Sequence, residues 1–309
     1  MIEKKNIEIE SLEQGIIRVC SLLDWANGFI FDRTSQEFSV GTIRFYAVKI
    51  NKFVKYCTGH GLQGMDEITP QLIREYLVWL QNDGHTPGGV HAYYRALKTF
   101  LKWYEDEQDG DWINPINRAR MKAPKADLLE PADEKAIEKM TAIAKMRDRA
   151  ILLCLLDTGA RGEEFVSLNF DDVNQITGIV KILHGKGGGF RIVYIGKKTR
   201  TALRKYVKTR SDNNFAVFVG DEGERLTYWG LRQILRRLSE KANVAYQSPH
   251  SFRRLCAITI YRQSGDIYAV QRYMGHKSIE TTKRYLRITE ADNLLFAIRG
   301  SPVDKLMSH

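Results

Sequence analysis

The sequence predicts a mainly α fold with one small β-sheet (α+β), divided between two domains. Three observations carry this. Apolar residues recur at helical spacing through most of the chain, behind openers such as Thr69-Pro70, Thr86-Pro87 and Ser248-Pro249. Two adjacent β-rich runs, 179–183 and 191–195, flank the glycine-rich loop Gly185-Lys186-Gly187-Gly188-Gly189 and read as a hairpin. A length of 309 residues suits two domains, and residues 109–130, broken by Asp109-Gly110, Asn114-Pro115 and Pro124, read as the linker between them.

In order along the chain, residues 1–35 predict an N-terminal helical extension. Ile16, Ile17, Cys20 and Leu23 suggest an amphipathic helix, with Val19, Leu22 and Trp25 widening its apolar face. Residues 36–108 predict a three-helix unit. Ile43, Tyr46, Ile50, Phe53, Val54 and Cys57 form the first stripe. A second helix runs from Thr69-Pro70 to about Gln81, where Asp83-Gly84 stops it. The third starts near Thr86-Pro87 and carries Val90, Tyr94, Leu97, Leu101 and Tyr104. Arg44 and Lys98 lie beside these stripes, and Arg118, Arg120 and Lys122 mark the linker as basic. As single residues they read as solvated polar groups; as a set they can grip a DNA backbone.

Residues 131–289 predict the second domain. Its helices are expected at about 130–144, 148–156, 197–208 and 227–243, with a short strand at Ala216–Val219. Arg236 lies on the last of these helices, beside Arg232 and Arg237. Residues 290–309 predict a final helix and tail, where Leu294, Leu295, Phe296 and Ile298 make an apolar cluster with no later element to cover it.

Composition narrows the function. Apolar residues make up 43% of the chain, the share of a folded globular protein. No apolar run reaches membrane-spanning length and the N-terminus lacks a signal-peptide core, so a cytoplasmic protein without membrane partners is expected. Cys20, Cys57, Cys154 and Cys256 are widely spaced and read as reduced core residues, not as a metal site. The net charge of +10 is carried entirely by residues 127–309, which hold 31 Lys and Arg against 21 Asp and Glu. Charge alone leaves open both a polyanion partner and a solvated basic surface.

The most informative stretch is 248–285. Ser248 and Pro249 open a helix whose first turns carry His250 and Arg253 on one face. Unpaired N–H groups and the helix dipole already attract anions there. Gly275 reads as the glycine that ends the next helix, holding His276 at a turn, and Tyr285 follows on a short helix opened by Ser278. A histidine, an arginine, a second histidine and a tyrosine at these intervals resemble the C-terminal motif of the tyrosine recombinases, the phage-integrase superfamily. The resemblance extends through the whole second domain. Thr158-Gly159-Ala160-Arg161 followed by Glu164 is similar to the family's first catalytic arginine and its acidic neighbour, and Gly185-Lys186-Gly187 looks like the loop that delivers its catalytic lysine. The bundle at 36–108 is similar to the family's SAM-like core-binding domain. Arg254 departs from the pattern, standing where many members have a further histidine.

The resemblance implies a catalytic set of Arg161, Lys186, His250, Arg253, His276 and Tyr285, supported by Glu164. It implies double-stranded DNA with paired recombination sites as partner, a homotetramer on that DNA, and no cofactor or metal. Tyr285 would be the nucleophile and leave a 3′-phosphotyrosine, so that rejoining needs no ATP. Arg161 and Arg253 would clamp the non-bridging oxygens. Lys186 would protonate the leaving oxygen, His250 act as general acid and base, and His276 donate to the phosphate. The expected function is site-specific recombination through a Holliday junction, serving integration and excision of a mobile element or Xer-like resolution. A type IB topoisomerase-like activity and a catalytically idle architectural protein are the alternatives.

Overall fold

A computed structural model describes residues 21–108, 110, 112–124, 130–183 and 189–287. The chain divides into two compact units, Met1–Ala126 and Asp127–His309.

The first unit is a helical bundle. Helices α1 (Leu22–Ser35), α2 (Val40–Gly59), α3 (Pro70–Asn82) and α4 (Pro87–Glu107) enclose one apolar core. Their starts follow from side-chain caps. Ser21 and Asp24 form a capping box, and Thr69 and Thr86 accept from the Leu72 and Gly89 amides at 3.1 and 3.2 Å. The expected α4 stripe of Val90, Tyr94, Leu97, Leu101 and Tyr104 is buried throughout. In α1 the orientation differs from expectation. Leu22, Ala26 and Phe29 face α2 and α4 and enter the core, while Leu23 points away from them and is 51% exposed. Helix α1 packs on α2 and α4, so within the described residues it is an integral wall of the bundle. The expected linker also begins as part of the bundle. A 3₁₀ turn at Pro115–Asn117, held by the Asn114 side chain on the Ile116 amide, buries Ile116 and Ala119 in the same core.

The second unit is built around α6 (Met146–Thr158). Helix α5 (Glu134–Ile143) precedes it and α7 (Gly162–Val166) follows. Strands β1 (Ile179–Leu183) and β2 (Phe190–Tyr194) pair antiparallel with Leu183 opposite Phe190, leaving 184–189 as the hairpin connection. Then come α8 (Lys197–Val207), α9 (Tyr228–Lys241), α10 (Pro249–Ser264), α11 (Ile267–Met274) and α12 (Ile279–Leu286). Ala216–Val219 is buried but forms no strand. It makes single bridges to Asn169 and Arg225, because the chain reverses at Gly220 before a ladder can extend. Asp157 joins α6 to the start of α8, accepting from the Gly196 amide at 2.7 Å and the Thr199 hydroxyl at 2.6 Å. Helix α10 packs against α6, α11 and α12, which brings the chain's Arg161 and Tyr285 regions together. Residues 1–20 and 290–309 lie outside the described residues, with the helices expected there.

Two glycines separate backbone demand from packing demand. Both Gly159 and Gly265 close helices with positive φ, +53° and +65°. A Cβ on Gly265 would meet open space, whereas one on Gly159 would stand 2.7 Å from the buried Met274 Cε and 3.0 Å from Cys256 Sγ. Gly265→Ala should cost about 1 kcal/mol from the left-handed backbone alone. Gly159→Ala should cost measurably more in urea denaturation; equal losses would show that the Met274 contact adds nothing.

Candidate active site

Gly159 ends α6 and turns the chain so that Arg161 becomes the N-cap of α7. The Arg161 amide donates to Glu164 Oε2 at 2.9 Å and its Nη1 to Glu164 Oε1 at 2.8 Å. Its other terminal nitrogen reaches the Gly275 carbonyl at 3.4 Å. With 42% of its side chain exposed, Arg161 still presents part of its guanidinium to an incoming group.

Arg253 is almost wholly enclosed, at 1% exposure, one turn into α10. Its two terminal nitrogens donate to the Gly159 and Met274 carbonyls. Burial, then the charge of Arg161, lowers its pKa, with Tyr285 acting in the opposite direction. Arg161 and Arg253 therefore converge on consecutive carbonyls, Gly275 and Met274, at the turn that holds His276.

Gly275, with φ +64°, closes α11 and aims His276 inward. The His276 amide donates to the Gln271 carbonyl, and Gln271 Nε2 donates back to the His276 carbonyl, both at 3.1 Å. Nδ1 lies 2.9 Å from Thr282 Oγ1. Nε2 is buried and meets no partner among the described residues. Burial, then the charges of Arg253, Arg161 and Arg191, pushes the ring's pKa down to about 4, so it is neutral at pH 7. Tyr285, half-buried on α12, stands edge-on to this ring with centroids 5.0 Å apart at 85°.

His250 sits in the first turn of α10 behind the Ser248 cap and is exposed. Desolvation on its protein-facing side, then the charges of Arg254, Arg253 and Arg161, lowers its pKa. Arg254 is turned outward and donates to the Glu130 carbonyl at 2.6 Å. Lys186 lies outside the described residues. Arg161, Glu164, Arg253, His276 and Tyr285 are thus brought to one place. Arg44, Lys98, Arg118, Arg120, Lys122 and Arg236 are all exposed, and none pairs with a described carboxylate. Arg236 also lies 5.7 Å from the Tyr246 ring centroid. Among the described residues no three His, Cys, Asp or Glu side chains gather into a metal-binding cluster.

Two residues of the site escaped sequence reasoning. Arg191 on β2 is buried and grips Glu164 with both terminal nitrogens, at 3.1 and 2.7 Å. Its signal was available: strand alternation places it on the same face as Val193, so it is a charge pointing inward. Thr282 had no comparable signal, because its role depends on where α12 settles.

Glu164 is squeezed between two arginines. Burial alone would raise its pKa, but hydrogen bonds from Arg191 and from the Arg161 amide and side chain bring it down to about 2. A depressed carboxylate stabilises the fold above its unfolded pKa and loses that contribution as pH falls through the folded value. Glu164→Gln should therefore cost on the order of 3 kcal/mol at pH 7. The gap to wild type should narrow between about pH 4.5 and 2. A gap that stays constant over that range would refute the ionic account.

The model of the phage integrase family matches residues 128–292, and that of the phage integrase N-terminal SAM-like domain matches residues 33–108. Tyrosine recombinase XerC of Pseudomonas putida is 27% identical over 268 residues, covering 83% of this chain and 88% of that protein. Tyrosine recombinase XerD of Oceanobacillus iheyensis is 28% identical over 276 residues, covering 85% and 93%. Among solved structures, XerA recombinase is 25% identical with a TM-score of 0.52, covering 91% of this chain and 99% of that one. The post-cleavage complex of XerH recombinase with a palindromic difH substrate has a TM-score of 0.70 at 20% identity, covering 91% and 85%. That second likeness is one of fold.

Proposed function

Since the chain belongs to the phage integrase family, we propose a division of labour by which its residues cut and rejoin DNA. The chain is a tyrosine site-specific recombinase, acting through a covalent 3′-phosphotyrosine and a Holliday junction. The observation that carries the assignment of roles is the convergence at the Met274–Gly275 turn. Two arginines, a buried imidazole nitrogen without a partner among the described residues and a tyrosine ring meet there. A phosphodiester offers an acceptor to the His276 nitrogen and a counter-charge to the arginines.

In this reading Arg161 and Arg253 hold the non-bridging oxygens, and His276 Nε2–H donates to one of them. Tyr285 gives its proton to His250, and its oxygen bonds to phosphorus. The bond to the 5′ oxygen breaks, and that oxygen takes a proton from Lys186. Glu164, clasped by Arg191, keeps Arg161 in place. Arg44, Lys98, Arg118, Arg120, Lys122 and Arg236 bind backbone phosphates. The substrate is duplex DNA with paired sites, taken up by a tetramer in the cytoplasm, for integration and excision or for Xer-like resolution.

Residues 290–309 are the subunit contact in this proposal. The second unit carries a groove of about 1460 Å³ between α5, α6, α8 and α10, with Ile137, Leu153, Leu156 and Ile260 in its lining. Its apolar lining suits Leu294, Leu295, Phe296 and Ile298 of a neighbouring copy. Deleting 290–309 should leave binding to one site, read by gel shift, and abolish cooperative assembly and recombination. A truncated protein that recombines at full rate would exclude this role.

The mechanism is tested at the nucleophile. Footprinting of DNA flanking the gene identifies the site, and a nicked suicide duplex carrying it traps the covalent adduct. Tyr285→Phe should fold and bind that duplex but form no adduct. Arg161→Lys and Arg253→Lys should slow adduct formation by roughly 10²-fold or more. Cleavage should proceed in EDTA without ATP. An adduct from Tyr285→Phe, or a strict need for a divalent metal, would defeat the assignment.

A further inference from the structure

We propose that Thr282 is a positioning residue: its hydroxyl donates to His276 Nδ1, keeping the imidazole proton on Nε2 and tying the ring to the helix that carries Tyr285. The inference rests on the reading of His276 as the donor to the phosphate.

Thr282 is 0% exposed and His276 is 6% exposed, so neither polar atom can turn to bulk water. A threonine hydroxyl has one hydrogen to give and lone pairs to accept with, and at 2.9 Å it is bonded to Nδ1. A neutral imidazole carries one N–H and one lone pair, so the role of Nδ1 dictates that of Nε2. The ring is held neutral by burial and by Arg253, Arg161 and Arg191. If Nδ1 accepts from Thr282, Nε2 carries the proton. Nε2 is the nitrogen left without a partner among the described residues, beside the turn to which both arginines donate. An anion held there by the guanidiniums receives a hydrogen from Nε2–H but is repelled by a bare Nε2 lone pair.

Geometry adds a second consequence. Thr282 lies three residues before Tyr285 on α12, on neighbouring parts of one helix surface. The Thr282 bond and the edge-on contact with Tyr285 therefore fix the His276 ring from two points of the same helix. Any shift of α12 that moves the nucleophile carries the phosphate donor with it. Orienting groups behind a reactive imidazole set both its tautomer and its direction in this way.

Two measurements test this. In the first, protein labelled with ¹⁵N-histidine is examined at pH 7 by long-range ¹H–¹⁵N spectroscopy. Wild type and Thr282→Ser should show His276 protonated on Nε2, while Thr282→Val should shift toward a mixture of tautomers. A wild-type ring protonated on Nδ1, or tautomers unchanged in Thr282→Val, would overturn the proposal whatever the enzyme does. In the second, adduct formation is timed on the nicked suicide duplex. Thr282→Val should be slowed about 10-fold with unchanged duplex affinity, and Thr282→Ser should recover most of the rate. In a His276→Ala background Thr282→Val should cost nothing further. A full-size loss in that background, or equal losses in the Ser and Val variants, would make Thr282 merely structural. His276→Ala cleaving at the wild-type rate would instead remove the phosphate-donor reading on which the inference stands.

Discussion

The second unit depends on one buried cation. The Arg253 guanidinium is enclosed at 1% exposure, and taking a charge out of water costs several kcal/mol unless its donors are met. Two main-chain carbonyls, Gly159 and Met274, meet them. These belong to the end of α6 and the end of α11, far apart in sequence and both closed by glycines in the left-handed region. The guanidinium thereby sets the spacing between the turn that leads into Arg161 and the turn that leads into His276. The rest of the site hangs on that spacing: Arg161 reaches the next carbonyl along, at Gly275, and α12 follows with Tyr285.

Around this tie the structure holds an excess of positive charge. Arg161 and Arg191 share the Glu164 carboxylate, on which Arg191 spends both terminal nitrogens, while Arg253 has only main-chain carbonyls on its terminal nitrogens. Burial first, and then this charge, lowers the pKa values of His250 and His276. Such an arrangement is unfavourable for the free protein and favourable once an anion arrives. This is the logic of a preorganised electrostatic site: the donors are oriented in folding, so no reorganisation is needed at the moment of reaction. Burial of Thr282 and the Gln271 bonds to His276 extend the same preorganisation outward, since each holds His276 in place.

The residue pattern by itself determined the elements and the chemical types. Threonine and serine before proline, together with stripes at helical spacing, placed α3 nearly to the residue and the starts of α4 and α10, because capping and amphipathicity are local properties. Arg161, His250 and His276 sit at helix starts or turns marked by their neighbours, and Arg253 and Tyr285 lie on helices whose starts are marked in the same way. Local signals fell short where a long-range contact chose the outcome. Leu23 fits the apolar stripe, yet the packing of α1 on α2 and α4 buries Leu22 and leaves Leu23 exposed. Ala216–Val219 has strand composition but lacks a neighbour long enough to pair with. The tertiary structure alone decided that Arg191 faces Glu164, that Arg253 is sealed between two turns, and that Thr282 meets His276. Those bonds span from six to well over twenty residues of chain, and their donors and acceptors find one another only after the helices have packed.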